Sequence, residues 1–403
     1  MMLKKISWIL MFVLLLGAFS LAGCAGDAVD NGQPAQPEEG DSNLEESLAA
    51  DEVVAELKAD DGQLLLPELS AKDVPDRPAD PSSLPEEDPM HWYDLEYSGW
   101  GVDKVNIPES PADGAKGKNV ILIVHGDHPW TTAYIKGATK VADAYGMNLK
   151  VMSPNFNADV QAQMVDQAIG EEPDMIIMIP VDAQVSVQLF RKINQASIPV
   201  IATNTHPDSE AMQYVIAWTG PDDWGQFRML SAEFADELGY EGGYAVIQHF
   251  PGGSPFFART FGAVTELAQI APDMELLDKQ APGFEAEATM QVVSDWITRF
   301  GDNLKGIVLA DDSAQAIGVI EALETANRQD IVVVAAGNSK VGMDLVAEGK
   351  LHAITYQTAE GDGAAAIKAG ADWFNGKSIE AVRYLPKHII TIDDVQDFMP
   401  AQW

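Results

Sequence analysis

Short aliphatic runs recur along the chain from residue 119 onward, and each is followed by a polar turn and an amphipathic stretch. Near-continuous apolar runs of this length are typical of strands that are buried on both faces of a parallel sheet. Strands that alternate with helices predict an α/β fold of the doubly wound type. The ten predicted strands are 120–124, 149–152, 175–179, 200–202, 214–217, 244–247, 274–277, 306–309, 331–334 and 352–355.

These strands form two groups of five, with a break near residues 219–222. A stretch of about 280 residues is more than one hydrophobic core usually holds. We therefore predict two Rossmann-like lobes joined by a three-crossing hinge. One lobe comprises residues 119–220 plus 358–383, and the other comprises 221–357 plus 384–403. Ligands of such sheets bind beyond the carboxyl ends of the strands, so the binding residues should follow the aliphatic runs.

Residues 1–23 have the pattern of a secretory signal peptide, with a basic start, an apolar run and small residues at the end. The apolar run is too short to favour the alternative of a transmembrane anchor. Cys24 is the only cysteine, so it cannot form an internal disulfide. The segment Leu21-Ala22-Gly23-Cys24 resembles the lipobox of bacterial lipoproteins. This resemblance implies that Cys24 is lipidated and that the exported protein is anchored to the cell membrane.

The composition changes after the signal peptide. Residues 24–88 are acidic and rich in proline, with little apolar surface to bury, and this predicts a disordered tether. Residues 89–118 differ because they begin with a cluster of aromatic side chains, which proteins seldom leave in water. We interpret this segment as a strap docked on the core, with a contact to the cell wall as the alternative. The aromatic residues are Trp92, Tyr93, Tyr97 and Trp100.

Charge and histidine spacing exclude several classes of function. The formal net charge of −37 is incompatible with nucleic-acid binding, which requires a basic surface. His125 and His128 are three residues apart across Gly126 and are followed by Pro129, so they do not form a helical pair of metal ligands. We predict no metal and no cofactor.

The residues after the predicted strands combine aromatic rings with amides, carboxylates and one arginine. Each hydroxyl of a sugar is both a donor and an acceptor, and its C–H faces are covered well by aromatic rings. This mixture predicts a carbohydrate or polyol ligand. The segments that carry it are 125–131, 203–206, 248–259, 282–285, 310–313, 336–338 and 356–357.

From about residue 119 to residue 392, the order of elements resembles the periplasmic ribose- and galactose-binding proteins, which have the type I solute-binding fold. The segment His128-Pro129-Trp130-Thr131 looks like the family's first-loop Asn-Pro-Phe-Phe. Pro199 to Asn204 resembles its Pro-Val-x-x-x-Asp, with an amide in place of the acid. Residues 259–263 are similar to its Arg-x-x-Gly-Phe, and residues 312–318 resemble its Asn-Asp-x-x-Ala-x-Gly turn.

The resemblance also covers single positions. Phe284 looks like the ring-stacking phenylalanine, Gln357 like the closing glutamine, and Asn338 ends the segment that stands where the family has Gly-Phe-Asp-Gly. In the turn after the eighth strand it implies Asp312, or Asp311 if the match slips by one residue. The implied ligand contacts are His128, Trp130, Asn204, Arg259, Phe284, Asp311, Asp312, Asn338 and Gln357.

Each of these residues also has a simpler interpretation. Trp130 and Phe284 could be core aromatics, and Asp311 and Asp312 could cap the helix that follows. Arg259 could be a surface charge, although the first turn of a helix is unfavourable for a cation.

The resemblance implies a monomeric, non-catalytic receptor of an ABC importer, whose lobes close on a monosaccharide or polyol and which delivers it to the permease subunits. One alternative is an exported carbohydrate-active hydrolase that uses the same cleft. Against it, the chain has no Gly-x-Ser-x-Gly motif, and adjacent carboxylates such as Asp311 and Asp312 point in different directions. A receptor for a sugar-like signal molecule or a nucleoside is a further alternative.

Overall fold

The structure, a computed structural model, describes residues 39–403 and contains two six-stranded sheets. The predicted signal peptide and Cys24 lie outside the described residues. The first sheet has the strand order β11-β5-β4-β3-β1-β2, and all its pairs are parallel. Its strands are β1 (Asn119–Ile123), β2 (Asn148–Met152), β3 (Met175–Met178), β4 (Val200–Thr203), β5 (Trp218–Gly220) and β11 (Val382–Tyr384).

The second sheet has the order β12-β10-β9-β8-β6-β7, and only the pair of β10 with β12 is antiparallel. Its strands are β6 (Glu241–Ile247), β7 (Asp273–Gln280), β8 (Leu304–Leu309), β9 (Val332–Ala335), β10 (Ala353–Thr355) and β12 (Ile389–Thr391). The central strands of both sheets are almost fully buried, because helices cover both faces. The predicted doubly wound α/β fold is confirmed.

Helices precede the first strand and fill most of the connections between the strands. They are α1 (Glu39–Ala55), α2 (Tyr93–Glu96), α3 (Pro129–Tyr145), α4 (Ala158–Gly170), α5 (Ala183–Gln195), α6 (Asp223–Glu237), α7 (Ser254–Ile270), α8 (Ala286–Phe300), α9 (Ala314–Ala326), α10 (Lys340–Ala347) and α11 (Ala359–Phe374). Several begin at a side chain that accepts a hydrogen bond from the first turn, among them Asn157, Asp182 and Ser339. Gly146 ends α3 in the left-handed conformation, with φ of 66°. No helix among residues 39–403 is long and apolar enough to cross a membrane.

The chain crosses between the two sheets three times, which confirms the predicted three-crossing hinge. The crossings follow β5, follow β10 and join β11 to β12. Tyr384 still belongs to the first sheet, one residue beyond the predicted lobe boundary. Asp222 lies at the first crossing, is buried, and accepts hydrogen bonds from Lys72 at 2.6 Å and from Lys387 at 2.8 Å.

The fifth predicted strand is displaced. Ser209–Tyr214 forms a 3-10 helix, and β5 begins only at Trp218. The run 214–217 is apolar because Val215 and Ala217 are buried beside β4. Strand pairing starts later, where β11 is available on the other side of β5. The strands β11 and β12 escape prediction because each has only three residues.

The prediction of a disordered tether is wrong for residues 39–88. Helix α1 packs on α3, and Val54 and Leu65 are fully buried in the first lobe's core. Four acidic side chains of this segment pair with lysines of the folded domain: Glu46, Asp51, Asp60 and Glu86. Composition counts such carboxylates as unpaired charge, whereas in the folded protein these four are ion-paired.

Residues 89–118 lie on the second lobe at their aromatic end. Trp92 is buried and stacks on Phe261 of α7, with the ring centroids 3.9 Å apart. Glu96 is also buried, and Arg228 of α6 donates to both of its carboxylate oxygens at 2.6 Å. Further along, Ser98 donates to the carbonyl of Pro207 beyond β4 at 3.0 Å. The segment therefore contacts both lobes.

Candidate functional site

The carboxyl ends of the strands in the two sheets face each other across a cavity. It contains about 740 Å³ of empty space, its open mouth included. The lobes touch beside it, because Ala183 donates its backbone N–H to Gly252 at 3.1 Å and His206 donates its own to Ser254 Oγ at 2.8 Å. Seven predicted site residues line the cavity: His128, Trp130, Asn204, Arg259, Phe284, Asp311 and Gln357.

The first turn of α3 places an imidazole and an indole on one wall. His128 is the N-cap of this helix, and its Nδ1 accepts a hydrogen bond from the backbone N–H of Trp130 at 3.2 Å. Pro129 occupies the first helical position, where its fixed φ angle suits the start of a helix. The Trp130 ring lies 5.3 Å from the buried ring of Tyr134, one turn further along. These contacts fix the Trp130 ring beside the cavity, at the carboxyl end of the first sheet.

Asn204 follows β4 and adopts the left-handed conformation, with φ of 57°. Its side-chain amide donates to Asp362 of α11 at 2.8 Å. Burial raises the pKa of Asp362 to about 8, and the nearby Asp223 contributes to this rise. The amide is thereby held at the strand end in an orientation set by a buried carboxyl group.

Arg259 is the centre of a hydrogen-bond network on the second lobe. Its guanidinium donates to Asp223 at 3.1 Å, to the carbonyl of Ala310 at 2.8 Å and to Gln357 at 3.2 Å. Gln357 in turn donates to Asp223 at 3.0 Å and to Gln226 at 3.1 Å. Burial raises the pKa of Asp223, although Arg259 acts in the opposite direction. The network holds these polar side chains in place on one side of the cavity. The guanidinium of Arg259 is already paired with the carboxylate of Asp223.

Aromatic rings form much of the remaining surface. Phe284 lies 4.8 Å from His249 and 5.3 Å from Phe250, edge to face in both contacts. Phe250 meets Phe156 of the other lobe at 5.9 Å. Burial lowers the pKa of His249 well below its usual value, so its imidazole is neutral at physiological pH. Among the described residues there is no group of three His, Cys, Asp or Glu side chains that could hold a metal ion.

A cavity of this kind between two Rossmann-like lobes suits a small polar solute. The family model described as periplasmic binding protein domain matches residues 119–378. The chain belongs to the periplasmic binding protein family. It is 24% identical over 278 residues to a xylitol-binding protein of Mycolicibacterium smegmatis, covering 69% of this chain and 78% of that protein.

Other periplasmic binding proteins resemble the chain to a similar extent. The ribose import binding protein of Escherichia coli is 24% identical over 283 residues, covering 70% of this chain and 93% of its own. In fold, the chain is similar to an ABC transporter solute binding protein of Bacillus halodurans crystallised with myo-inositol. The TM-score is 0.66 at 22% identity, with 72% of this chain and 99% of the other covered. As a member of this family, the chain is a solute-binding protein.

Two predicted site residues of this periplasmic binding protein do not line the cavity. Asp312 is fully buried and accepts a hydrogen bond from the backbone N–H of Ser339 at 2.8 Å. Asn338 is also fully buried, and its side-chain oxygen accepts from the backbone N–H of Gln357 at 3.2 Å. The prediction that Asp312 and Asn338 contact the ligand is therefore corrected. Both side chains instead hold the backbone behind the cavity. Between the two acids left open by the sequence, Asp311 is the one that lines it.

Asp311 both lines the cavity and bonds to the first turn of the helix that follows. Its Oδ1 accepts from the backbone N–H groups of Ser313 at 3.2 Å and Gln315 at 3.3 Å, so it caps α9 while lining the cavity.

Sequence reasoning missed further cavity residues. Several lie in strand-end segments that the sequence had already singled out, such as His125, His249 and Phe250, so the position after a strand was a usable signal. Trp403 had no such signal. The additional lining residues are His125, Phe156, Pro180, Val181, Thr205, His249, Phe250, Gly253, Pro255, Ala336, Gly337 and Trp403.

Proposed function

We propose that this protein is an exported, lipid-anchored receptor that binds a neutral monosaccharide or polyol between its lobes and presents it to ABC permease subunits. The observation that carries the proposal is the composition of the cavity. Aromatic rings from both lobes surround amide and carboxylate groups, and the one arginine is paired with Asp223. A paired arginine offers hydrogen bonds without requiring a charged ligand.

The relatives point in the same direction. Two of them are named for xylitol and ribose, which are uncharged and carry several hydroxyls. The myo-inositol bound in the similar solved structure has the same properties. A nucleoside or a sugar-like signal molecule remains the alternative ligand, since aromatic walls also suit a base. We further propose that the receptor acts as a monomer.

Thermal unfolding with a ligand panel tests the proposal. D-ribose, xylitol, myo-inositol and a nucleoside such as adenosine are each added in excess, and each product mixture is analysed by mass spectrometry. A ligand at 100 times its Kd should stabilise the fold by about 2.7 kcal/mol and raise Tm, while remaining chemically unchanged. A response to adenosine alone would support the nucleoside alternative, and absence of any response would contradict the proposed ligand class.

The lipid anchor rests on the Leu21-Ala22-Gly23-Cys24 boundary and has its own test. Cys24→Ala in the producing bacterium should move the protein from the membrane fraction to the soluble exported fraction, because the acylated thiol is lost. Unchanged membrane association of the variant would contradict the anchor without affecting the ligand proposal.

A further inference from the structure

Trp403 reaches the ligand cavity from the segment that follows β12. Its ring lines the cavity, and its centroid lies 5.6 Å from that of His128 on the opposite lobe. Its backbone carbonyl accepts a hydrogen bond from the N–H of Lys340, at the start of α10, at 2.7 Å. The residue is therefore attached to the second lobe while its ring meets the first.

The neighbouring residue fixes this position. Gln402 is buried, and its amide donates to Asp61 at 2.7 Å and to Thr358 Oγ1 at 3.1 Å. Its oxygen accepts from the backbone N–H of Glu360 at 2.9 Å. Asp61 is itself held by the hydroxyl of Tyr356 at 2.9 Å. Two separate parts of the chain, around Asp61 and around Thr358, thus hold the residue before Trp403.

The part of the wall formed by the strand-end loop after β9 has almost no side chain of its own. Ala336 and Gly337 line the cavity there. Gly337 has φ of 112°, and a Cβ at this position would lie 2.5 Å from Asp312 Oδ1, so no larger residue fits. Any aromatic surface in this region has to come from elsewhere in the chain, and Trp403 lines the same cavity.

We infer that Trp403 is a specificity-determining residue that packs its indole on a C–H face of the bound sugar or polyol. This inference rests on the proposed function and adds a ligand contact to it. A flat indole favours a rigid ring with one apolar face over a flexible open chain.

Isothermal titration calorimetry with myo-inositol, D-ribose and xylitol tests the inference. Wild type is compared with Trp403→Ala and Trp403→Phe. Loss of the indole should weaken the tightest cyclic probe by about 10- to 100-fold, the range for a buried tryptophan contact. The loss for open-chain xylitol should be smaller. Trp403→Phe should recover most of the affinity for the cyclic probe, because a flat ring is restored.

Gln396→Ala is the matched control, since this exposed residue lies in the same segment and does not line the cavity. It should bind like wild type. Circular dichroism and thermal unfolding check that each variant folds. If Trp403→Ala does not fold, Trp403→Phe still tests the inference. Equal binding by wild type and both Trp403 variants, or equal losses for cyclic and open-chain probes, would overturn the role of Trp403 alone. If wild type binds none of the three probes, the proposed function falls and this inference falls with it.

Discussion

Asp223 receives hydrogen bonds from both Arg259 and Gln357, so these three side chains form one buried unit beside the cavity. The acid was not among the predicted site residues, because it lies in the hinge, at the first residue of α6, and not after an aliphatic run. Its position explains why the site arginine is not free to attract anions. The cation is already paired with the protein's own carboxylate.

Arg259→Ala should therefore reduce both binding and stability. It removes donors that a ligand hydroxyl could share and leaves the Asp223 carboxylate without its cation, so we expect a loss of about 2–4 kcal/mol in binding. The free energy of unfolding should fall by about 1–3 kcal/mol. Calorimetry and urea unfolding measure the two effects. Arg299→Ala, at a half-exposed arginine on α8, is the control and should leave both close to their wild-type values.

Asp362 gives the fold a pH dependence of defined sign. Its pKa is about 8 in the folded protein and near 4 in the unfolded chain, so the folded state binds the proton more tightly. Its contribution to stability is fully present below the unfolded pKa and is lost as the pH rises through 8. Between pH 5 and pH 8 the free energy of unfolding should fall by up to about 1.4 kcal/mol per pH unit from this group.

Asp362→Asn should remove that slope, since the amide oxygen can still accept from Asn204 and no proton is gained or lost. Urea unfolding at several pH values between 5 and 8 measures it. Glu321→Gln on the exposed face of α9 is the control, and it should keep the wild-type slope. A wild-type slope in Asp362→Asn would contradict the raised pKa.

At the scale of elements, the segment before the first strand behaves as part of the folded domain. Helix α1 packs on α3, Trp92 packs on α7, and Lys72 bridges Glu96 to Asp222 at the hinge. An acidic composition did not prevent this, because a few buried aliphatic and aromatic residues supply the packing.

Trp92→Ala should lower the free energy of unfolding by about 3–5 kcal/mol, as expected for a buried tryptophan replaced by alanine. Leu95→Ala in the same segment should cost less than about 1 kcal/mol, because Leu95 is 37% exposed. Chemical denaturation of both variants provides the comparison. Equal effects of the two substitutions would show that the segment does not pack as described.

At the scale of the whole molecule, the two lobes already touch beside the cavity. The rings of Phe156 and Phe250 meet across the cleft, as do the backbone groups of Ala183 and Gly252. A ligand that contacts both lobes binds this closed arrangement more tightly than an open one, and only such a difference in affinity can shift the population. The three crossings are the places where the chain can bend.

Small-angle X-ray scattering should therefore show a smaller radius of gyration when the sugar or polyol that binds is present at saturation. The protein is measured with and without that compound. The segment that contacts both lobes limits the opening, so the change should be modest. Identical scattering curves at proven saturation would indicate a rigid binding protein and would contradict closure.

Periodic and local features of this protein were determined by the sequence itself. Runs of aliphatic residues predict most of the strands, because strands that are buried on both faces of a parallel sheet carry little polarity. Once the sheets are parallel, their carboxyl ends meet at one edge, so the positions of Trp130, Asn204 and Arg259 beside a common cavity follow from strand order. The helix caps at Asn157 and Asp182 are likewise local, since they depend on bonds within one turn.

Only the tertiary structure decided the features that depend on distant parts of the chain. It pairs acidic residues before the first strand with lysines of the core, which composition cannot show. It turns Asp311 toward the cavity and Asp312 toward the backbone of Ser339, because adjacent side chains diverge and only the surrounding packing selects between them. It also brings Trp403 beside His128, 275 positions earlier in the sequence, through hydrogen bonds to residues that no local pattern connects.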